Sequence, residues 1–287
     1  MPSQKHLAYQ LAHFKNETLQ QLRFQLAKLY PVQPTYPDFI GIGAARSGTT
    51  WLYARLSDHP DVHVSKIKEL HFFDRAKTST VKGMYDLSID NHWNWYYRML
   101  ANSNAQMRGE ITPAYLILPD ETIAQIAQRM PNLKILVSIR NPVSRAWSAL
   151  RRNIWRDLGI KPSEINEDDK LFEKLMTKEL LSRGDYEGNI PRWEKFFSKE
   201  QIHVIFFDDI ETKPREVIND LCTFLGVDPS RLPQNDGDND KVNSAPNQEI
   251  IPAFARAKLE KYYEKQAQYI LDRFGRDCSA WYESGVL

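Results

Sequence analysis

Leu7, Leu11 and Phe14, followed by Leu19, Leu22, Leu26 and Leu29, recur at helical spacing through an otherwise polar N-terminal stretch. The pattern predicts an amphipathic helix whose stripe packs on the rest of the chain. Docking to a partner, or homodimer formation, is the alternative use of the same face. Residues 1–37 are read as an N-terminal helical extension closed by the proline-rich run Tyr30–Pro37, with one domain expected over 38–287. The stretch has no apolar core of the signal-peptide kind, and no uninterrupted apolar run approaches the length of a membrane span.

Beyond Asp38 the pattern alternates. Phe39–Ala44 is a short apolar run and predicts a buried strand, and Gly48–Leu56 a helix that stops at Asp58–Asp61. Val62–Ser65 reads as a strand, Asn91–Leu100 as an aromatic helix, Met107–Thr112 as a weaker strand, and Asp120–Met130 as a helix with an acidic first turn. Lys134–Arg140 is the clearest buried strand, and a long helix follows it from Pro142. Helical stretches at Leu171–Ser182 and Asn189–Phe197 come next. A strand at Ile202–Ile210, a helix at Pro214–Leu225 closed by Gly226, a polar loop at Gln234–Glu249 and a last helix at Pro252–Phe274 complete the chain. Strands alternating with helices predict an α/β fold. Its sheet is mostly parallel and P-loop-like, with helices on both faces and ligands at the carboxyl ends of the strands.

The 287 residues, 42% of them hydrophobic, are enough for a large core. Lys+Arg number 38 against 37 Asp+Glu, so no nucleic-acid partner is expected and any anion site must be a local cluster. Two cysteines, Cys222 and Cys278, make no disulfide framework and suit a reducing, cytoplasmic setting. Cys222 shares an apolar face with Ile218, Leu221 and Leu225 and reads as core filler. The cluster Trp93, Trp95, Tyr96 and Tyr97 suits either core packing or a stacking surface for a sugar ring or a lipid-like or polyketide alcohol.

Candidate chemistry begins in Phe39–Leu52. Gly43, Gly48 and Thr50 fall where a phosphate-binding loop has its glycines and hydroxyl, but Thr49 stands in the place of the lysine. The nearby cation is Arg46, inside the loop. A strand, a glycine-rich turn and a helix make an anion site from backbone N–H groups, and Ser47, Thr49 and Thr50 add hydroxyls. Lys134–Arg140 ends in arginine and not in the aspartate that would hold magnesium in a nucleoside-triphosphatase. A nucleotide carrying one 5′-phosphate-like group, bound without metal, fits this loop better than magnesium ATP. Arg140 at a strand's end and Ser148 two turns along the next helix can grip a second phosphate, with Arg145 and Arg151 read as that helix's solvated face.

Taken together these stretches resemble the sulfotransferases that use 3′-phosphoadenosine 5′-phosphosulfate (PAPS). Within that family the likeness is to the branch of heparan sulfate sulfotransferases and their bacterial relatives. The segment from Gly43 to Thr50 is similar to the family's 5′-phosphosulfate loop, Ser138–Leu150 to its 3′-phosphate motif, and Lys68–Asp74 to the segment bearing the base. Gly109–Tyr115, Asp185–Phe197 and Ile202–Val227 match in order and spacing. The resemblance implies sulfuryl transfer from PAPS to a hydroxyl, less readily an amine, of a carbohydrate or a small or lipid-like acceptor. It implies PAP as product and no metal. Glu69 would be the general base, with His71 as rival base. Arg46, where the family generally has lysine, would stabilise the leaving phosphate oxygen. The nucleotide would be held by Arg46, Ser47, Gly48, Thr49, Thr50, Arg140 and Ser148, and the acceptor would meet Lys68, Asp74 and Tyr115. Ile111 stands where the glycosaminoglycan enzymes tend to carry lysine, and the Gln234–Glu249 loop supplies only Lys241, so heparan sulfate is not the expected acceptor. Two other readings stay open: a non-catalytic nucleotide-binding module docked through its N-terminal helix, and a P-loop kinase, which magnesium dependence would reveal.

Overall fold

The computed structural model describes residue 19 and residues 21–78, 83–101, 104–154, 170–233 and 251–283. Five strands form one sheet: β1 (Phe39–Gly43), β2 (Val62–Val64), β3 (Met107–Ile111), β4 (Lys134–Ile139) and β5 (Ile202–Phe206). Their order is β2-β3-β1-β4-β5 and every pairing is parallel. Parallel strands need crossovers, and helices supply them on both faces. In chain order the helices are α1 (21–29), α2 (Thr49–Ser57), α3 (Asp90–Leu100), α4 (Asp120–Arg129), α5 (Pro142–Asn153), α6 (Lys170–Leu175) and α7 (Lys178–Ser182). Then come α8 (Tyr186–Glu194), α9 (Phe207–Thr212), α10 (Pro214–Leu225), α11 (Ala253–Tyr262), α12 (Gln266–Phe274) and α13 (Ala280–Glu283). The predicted α/β class, the parallel sheet and the N-terminal amphipathic helix are all present.

The described residues fall into two compact units. One holds Phe24–Arg140 and, from Ile190, the strand and helices as far as residue 233; it contains the whole sheet. Its core gathers Phe39, Ile111, Leu136 and Ile205 from the strands with Trp51, Leu52, Leu221 and Leu225 from α2 and α10. Each such side chain contributes roughly 1.5–3 kcal/mol on burial. Strands β1 and β3 interlock by size: Phe39 pairs with Gly109, and Gly41 with Ile111. A Cβ on Gly109 would lie 2.5 Å from the Phe39 ring, and one on Gly41 would lie 2.9 Å from Ile111. Cys222 is buried in this core, as expected, and burial pushes its thiol up to about 11.

The other unit holds Asn141–Asn189 and the C-terminal helices from residue 251. Asn141 caps α5 by accepting from the Val143 and Ser144 amides, and Val143, Trp147 and Leu150 pack with Leu180, Leu259 and Tyr263. Arg145 corrects the sequence reading. It is fully buried, donating to the carbonyl of Leu180 and to the Tyr263 hydroxyl, and is not part of a solvated face.

Other expectations shift. The single helix at Leu171–Ser182 is two, because Thr177 starts a new one by accepting from the Leu180 amide. The last helix is likewise interrupted between Tyr262 and Gln266. The strand at Ile202–Ile210 ends at Phe206 and turns directly into α9. In α1 the buried residues are Phe24 and Ala27, whereas Leu22, Leu26 and Leu29, and Leu19 before it, are exposed, so the described part of the leucine stripe does not pack inward. Phe24 wins its place by edge contacts with Tyr85 and His92. Trp93, Trp95, Tyr96 and Tyr97 are buried, which makes them core and not a stacking surface. Leu7, Leu11 and Phe14 and the 234–249 loop lie outside the described residues.

Candidate functional site

Strand β1 runs into the loop 44–48, and α2 begins at Thr49. Gly48 caps α2 in the left-handed conformation, φ 82°, with no side-chain cap, so the first-turn amides of α2 lack intrahelical acceptors. Arg46 also takes a left-handed φ, 71°, a strained setting for a residue with a Cβ. The loop is pinned to the end of β4: the Ala44 amide donates to the Ser138 carbonyl at 2.8 Å, and the Ser138 hydroxyl donates to the Ser47 carbonyl. Arg140, just past β4, donates from a guanidinium nitrogen to the Arg46 carbonyl at 3.0 Å and stacks over Phe207 at 4.4 Å. Ser47 is fully buried and its hydroxyl oxygen has no hydrogen-bond partner among the described residues. A buried hydroxyl left in that state at a glycine-rich turn fits an anion that completes it. Thr49 is buried and Thr50 half-buried. Ser148 lies on α5, half-buried.

The segment carrying Glu69 follows β2, and Tyr53 of α2 holds its start by donating to the Ser65 carbonyl at 2.9 Å. Glu69 and His71 both have left-handed backbones, φ 60° and 52°. Leu70, Phe72 and Phe73 are buried, so the alternate residues Glu69 and His71 are left half-buried at the surface. Lys68 donates to one Glu69 oxygen at 2.6 Å, and His71 Nε2 lies 3.7 Å from the other. On its other side His71 Nδ1 lies 2.7 Å from Asp74. Burial pushes the Glu69 carboxyl up, but His71 and Lys68 outweigh it and hold the group at about 2. Burial pushes His71 down, but Asp74 and Glu69 outweigh it and raise the imidazole to about 9, against a weaker opposing effect of Arg75. At neutral pH the cluster is therefore a carboxylate flanked by two cations.

Sequence reasoning placed Tyr115 against the acceptor. It is instead fully buried, and its hydroxyl is engaged by Glu110 at 2.8 Å and by the Phe72 amide at 3.0 Å. Ile111 is also core, packed on Gly41. The residues that sequence reasoning missed are Ser138, which bonds the Ser47 carbonyl, Phe207, which lies under the Arg140 guanidinium, and Glu110, which accepts from Tyr115. Glu110 had a signal: it is a carboxylate inside a strand whose next residues are threonine, proline, alanine and tyrosine. Arg46, Glu69 and Arg140 thus follow the carboxyl ends of β1, β2 and β4, where a parallel sheet carries its ligands.

The sequence profile of the sulfotransferase domain family matches residues 36–264. The chain belongs to that family. Among curated sulfotransferases, human heparan sulfate glucosamine 3-O-sulfotransferase 5 is 28% identical over 217 residues, covering 70% of this chain and 57% of that protein. The Caenorhabditis elegans bifunctional heparan sulfate N-deacetylase/N-sulfotransferase 1 is 24% identical over 201 residues, which is 67% of this chain and 22% of that protein. The chain therefore spans little more than half of the first relative and under a quarter of the second. The crystal structure of a sulfotransferase from Alicyclobacillus acidocaldarius superposes with a TM-score of 0.65 over 86% of this chain and 99% of that one, at 24% identity, a likeness of fold. No helix among the described residues is long and apolar enough to cross a membrane.

Proposed function

We propose that this sulfotransferase moves the sulfuryl group of PAPS to an acceptor hydroxyl, with Glu69 as general base and Arg46 at the leaving oxygen. The observation that carries the reading is the buried, unpartnered Ser47 hydroxyl at a glycine-rich turn onto which the Arg140 guanidinium is folded. Ser47, Gly48, Thr49 and Thr50 with the first-turn amides of α2 would hold the 5′ side of the nucleotide. Arg140 and Ser148, from the motif Ser138–Leu150, would hold its 3′-phosphate. PAPS supplies an activated sulfuryl group on a bridging oxygen. Arg46, permanently charged, would neutralise the negative charge that grows on that oxygen.

Glu69 would take the acceptor's proton. A carboxyl at about 2 is a weak base in water. The hydroxyl proton turns strongly acidic only as the new S–O bond forms, so an ionised and positioned acceptor serves better than a strong one. Protonated His71 cannot act as the base. It would steady the Glu69 carboxylate while Asp74 orients its ring. The acceptor would be a carbohydrate or a small or lipid-like alcohol. The test is calorimetric titration with PAP in the absence of magnesium, together with transfer of radiolabelled sulfate from PAPS. Binding and transfer without added metal are expected; tight PAP binding with no transfer to any component of a cell extract would leave a nucleotide-binding module instead.

A further inference from the structure

Glu110 is fully buried on β3, and the reaction just described makes no use of it. One of its oxygens accepts from the hydroxyls of Tyr96 at 3.0 Å and Tyr115 at 2.8 Å, and the other from Thr112 at 2.5 Å. Burial nevertheless pushes its carboxyl up to about 7, against the pull of these three donors. A buried carboxyl is costly to keep, and an apolar residue would fill a strand interior at less expense.

What the carboxylate does is fix the direction of one hydrogen bond. Tyr115 has a single hydroxyl proton and gives it to Glu110, so its oxygen is left to accept from the Phe72 amide at 3.0 Å. Phe72 directly follows the Glu69–His71 turn, in which two non-glycine residues hold left-handed backbones. Such conformations cost about 1 kcal/mol or more each and persist only where their surroundings impose them. Tyr96 shares the same Glu110 oxygen and stacks its ring on Phe72 at 4.6 Å, but among the described residues its hydroxyl bonds Glu110 and not the turn.

We propose that Glu110 and Tyr115 form a buried strut that sets the Glu69–His71 turn through the Phe72 amide, and so act as positioning residues for the base. The inference rests on the reading of Glu69 as base only for its catalytic consequence; the strut itself is independent of it.

The test titrates the His71 imidazole by NMR in the full-length chain, with His71→Asn to assign the signal. Neither nucleotide nor acceptor is present, so the outcome is separate from that of the sulfuryl-transfer reading. Tyr115→Phe and Tyr96→Phe each delete one hydroxyl from Glu110 and keep the ring. In the native chain His71 should titrate near 9. Tyr96→Phe should leave that value in place. Tyr115→Phe should release the turn from Glu69 and Asp74 and bring His71 toward its ordinary 6.5. In sulfate transfer Tyr115→Phe should lower kcat about tenfold or more with KM for PAPS unchanged, and Tyr96→Phe should leave both within about twofold. An unchanged His71 in Tyr115→Phe, or equal changes in the two variants, would overturn the strut. If Tyr115→Phe does not fold, hydrogen exchange of the Phe72 amide in the native chain decides: strong protection is expected, and exchange at the free-peptide rate overturns the proposal.

Discussion

A carboxylate held at about 2 beside an imidazole raised to about 9 gives the site a wide pH range in which both charges are present. The rate of sulfate transfer should be flat through neutrality and fall as pH rises through about 9, when His71 loses its proton. His71→Asn should be slower and lack that alkaline limb; a limb that survives would assign it to another group. Glu110 gives a prediction of stability. Its carboxyl keeps a proton in the folded chain to about pH 7 but loses it near 4.5 when unfolded. Folding therefore weakens as pH rises from 4.5 to 7, and the cost is constant above that. Glu110→Gln keeps an oxygen for the two tyrosines and an amide for Thr112. It should raise Tm at pH 8, by on the order of 3 kcal/mol in stability, with the gain vanishing near pH 4.5. A gain independent of pH would mean that the carboxyl is not the titrating group.

At the scale of elements, the loop between β1 and α2 is held by what lies behind it. A Cβ on Gly48 would come within 2.8 Å of Ile210 and 3.1 Å of the Phe207 ring, at a φ that L residues rarely adopt. Phe207 also carries Arg140. Gly48→Ala should cost about 1–3 kcal/mol in thermal or urea unfolding and weaken PAP binding at the same time. Loss of stability with unchanged affinity would separate the loop from the nucleotide. The elements themselves were largely legible, because apolar runs such as Ile135–Ile139 can only be buried strands between helices. The face of α1 was not: helical spacing reveals a stripe, but Phe24 and Ala27 lie off the leucine line and it is Phe24 that meets Tyr85 and His92. Leu22→Gln and Leu26→Gln should therefore change Tm by little, since both residues are already about half exposed to water. The partners of Glu69 were half legible. Lys68 and His71 are its neighbours in sequence. Glu110 reaches the turn through Tyr115, which lies just past the end of its own strand, and it is the bond from the Phe72 amide to Tyr115 that no local pattern encodes.

For the molecule as a whole, one parallel sheet brings the nucleotide loop, the arginine after β4 and the carboxylate after β2 to the same ends of their strands. The central claim is that this arrangement transfers a sulfuryl group with Glu69 taking the proton. It is tested most directly by the single-turnover transfer of radiolabelled sulfate from PAPS to the acceptors of a cell extract, with the native chain and Glu69→Gln measured side by side at matched PAP affinity. Labelled product is expected from the native chain without added magnesium, with a rate roughly 10²–10⁴-fold lower for the variant, the usual range for a lost general base. Equal rates from the two proteins would contradict that claim.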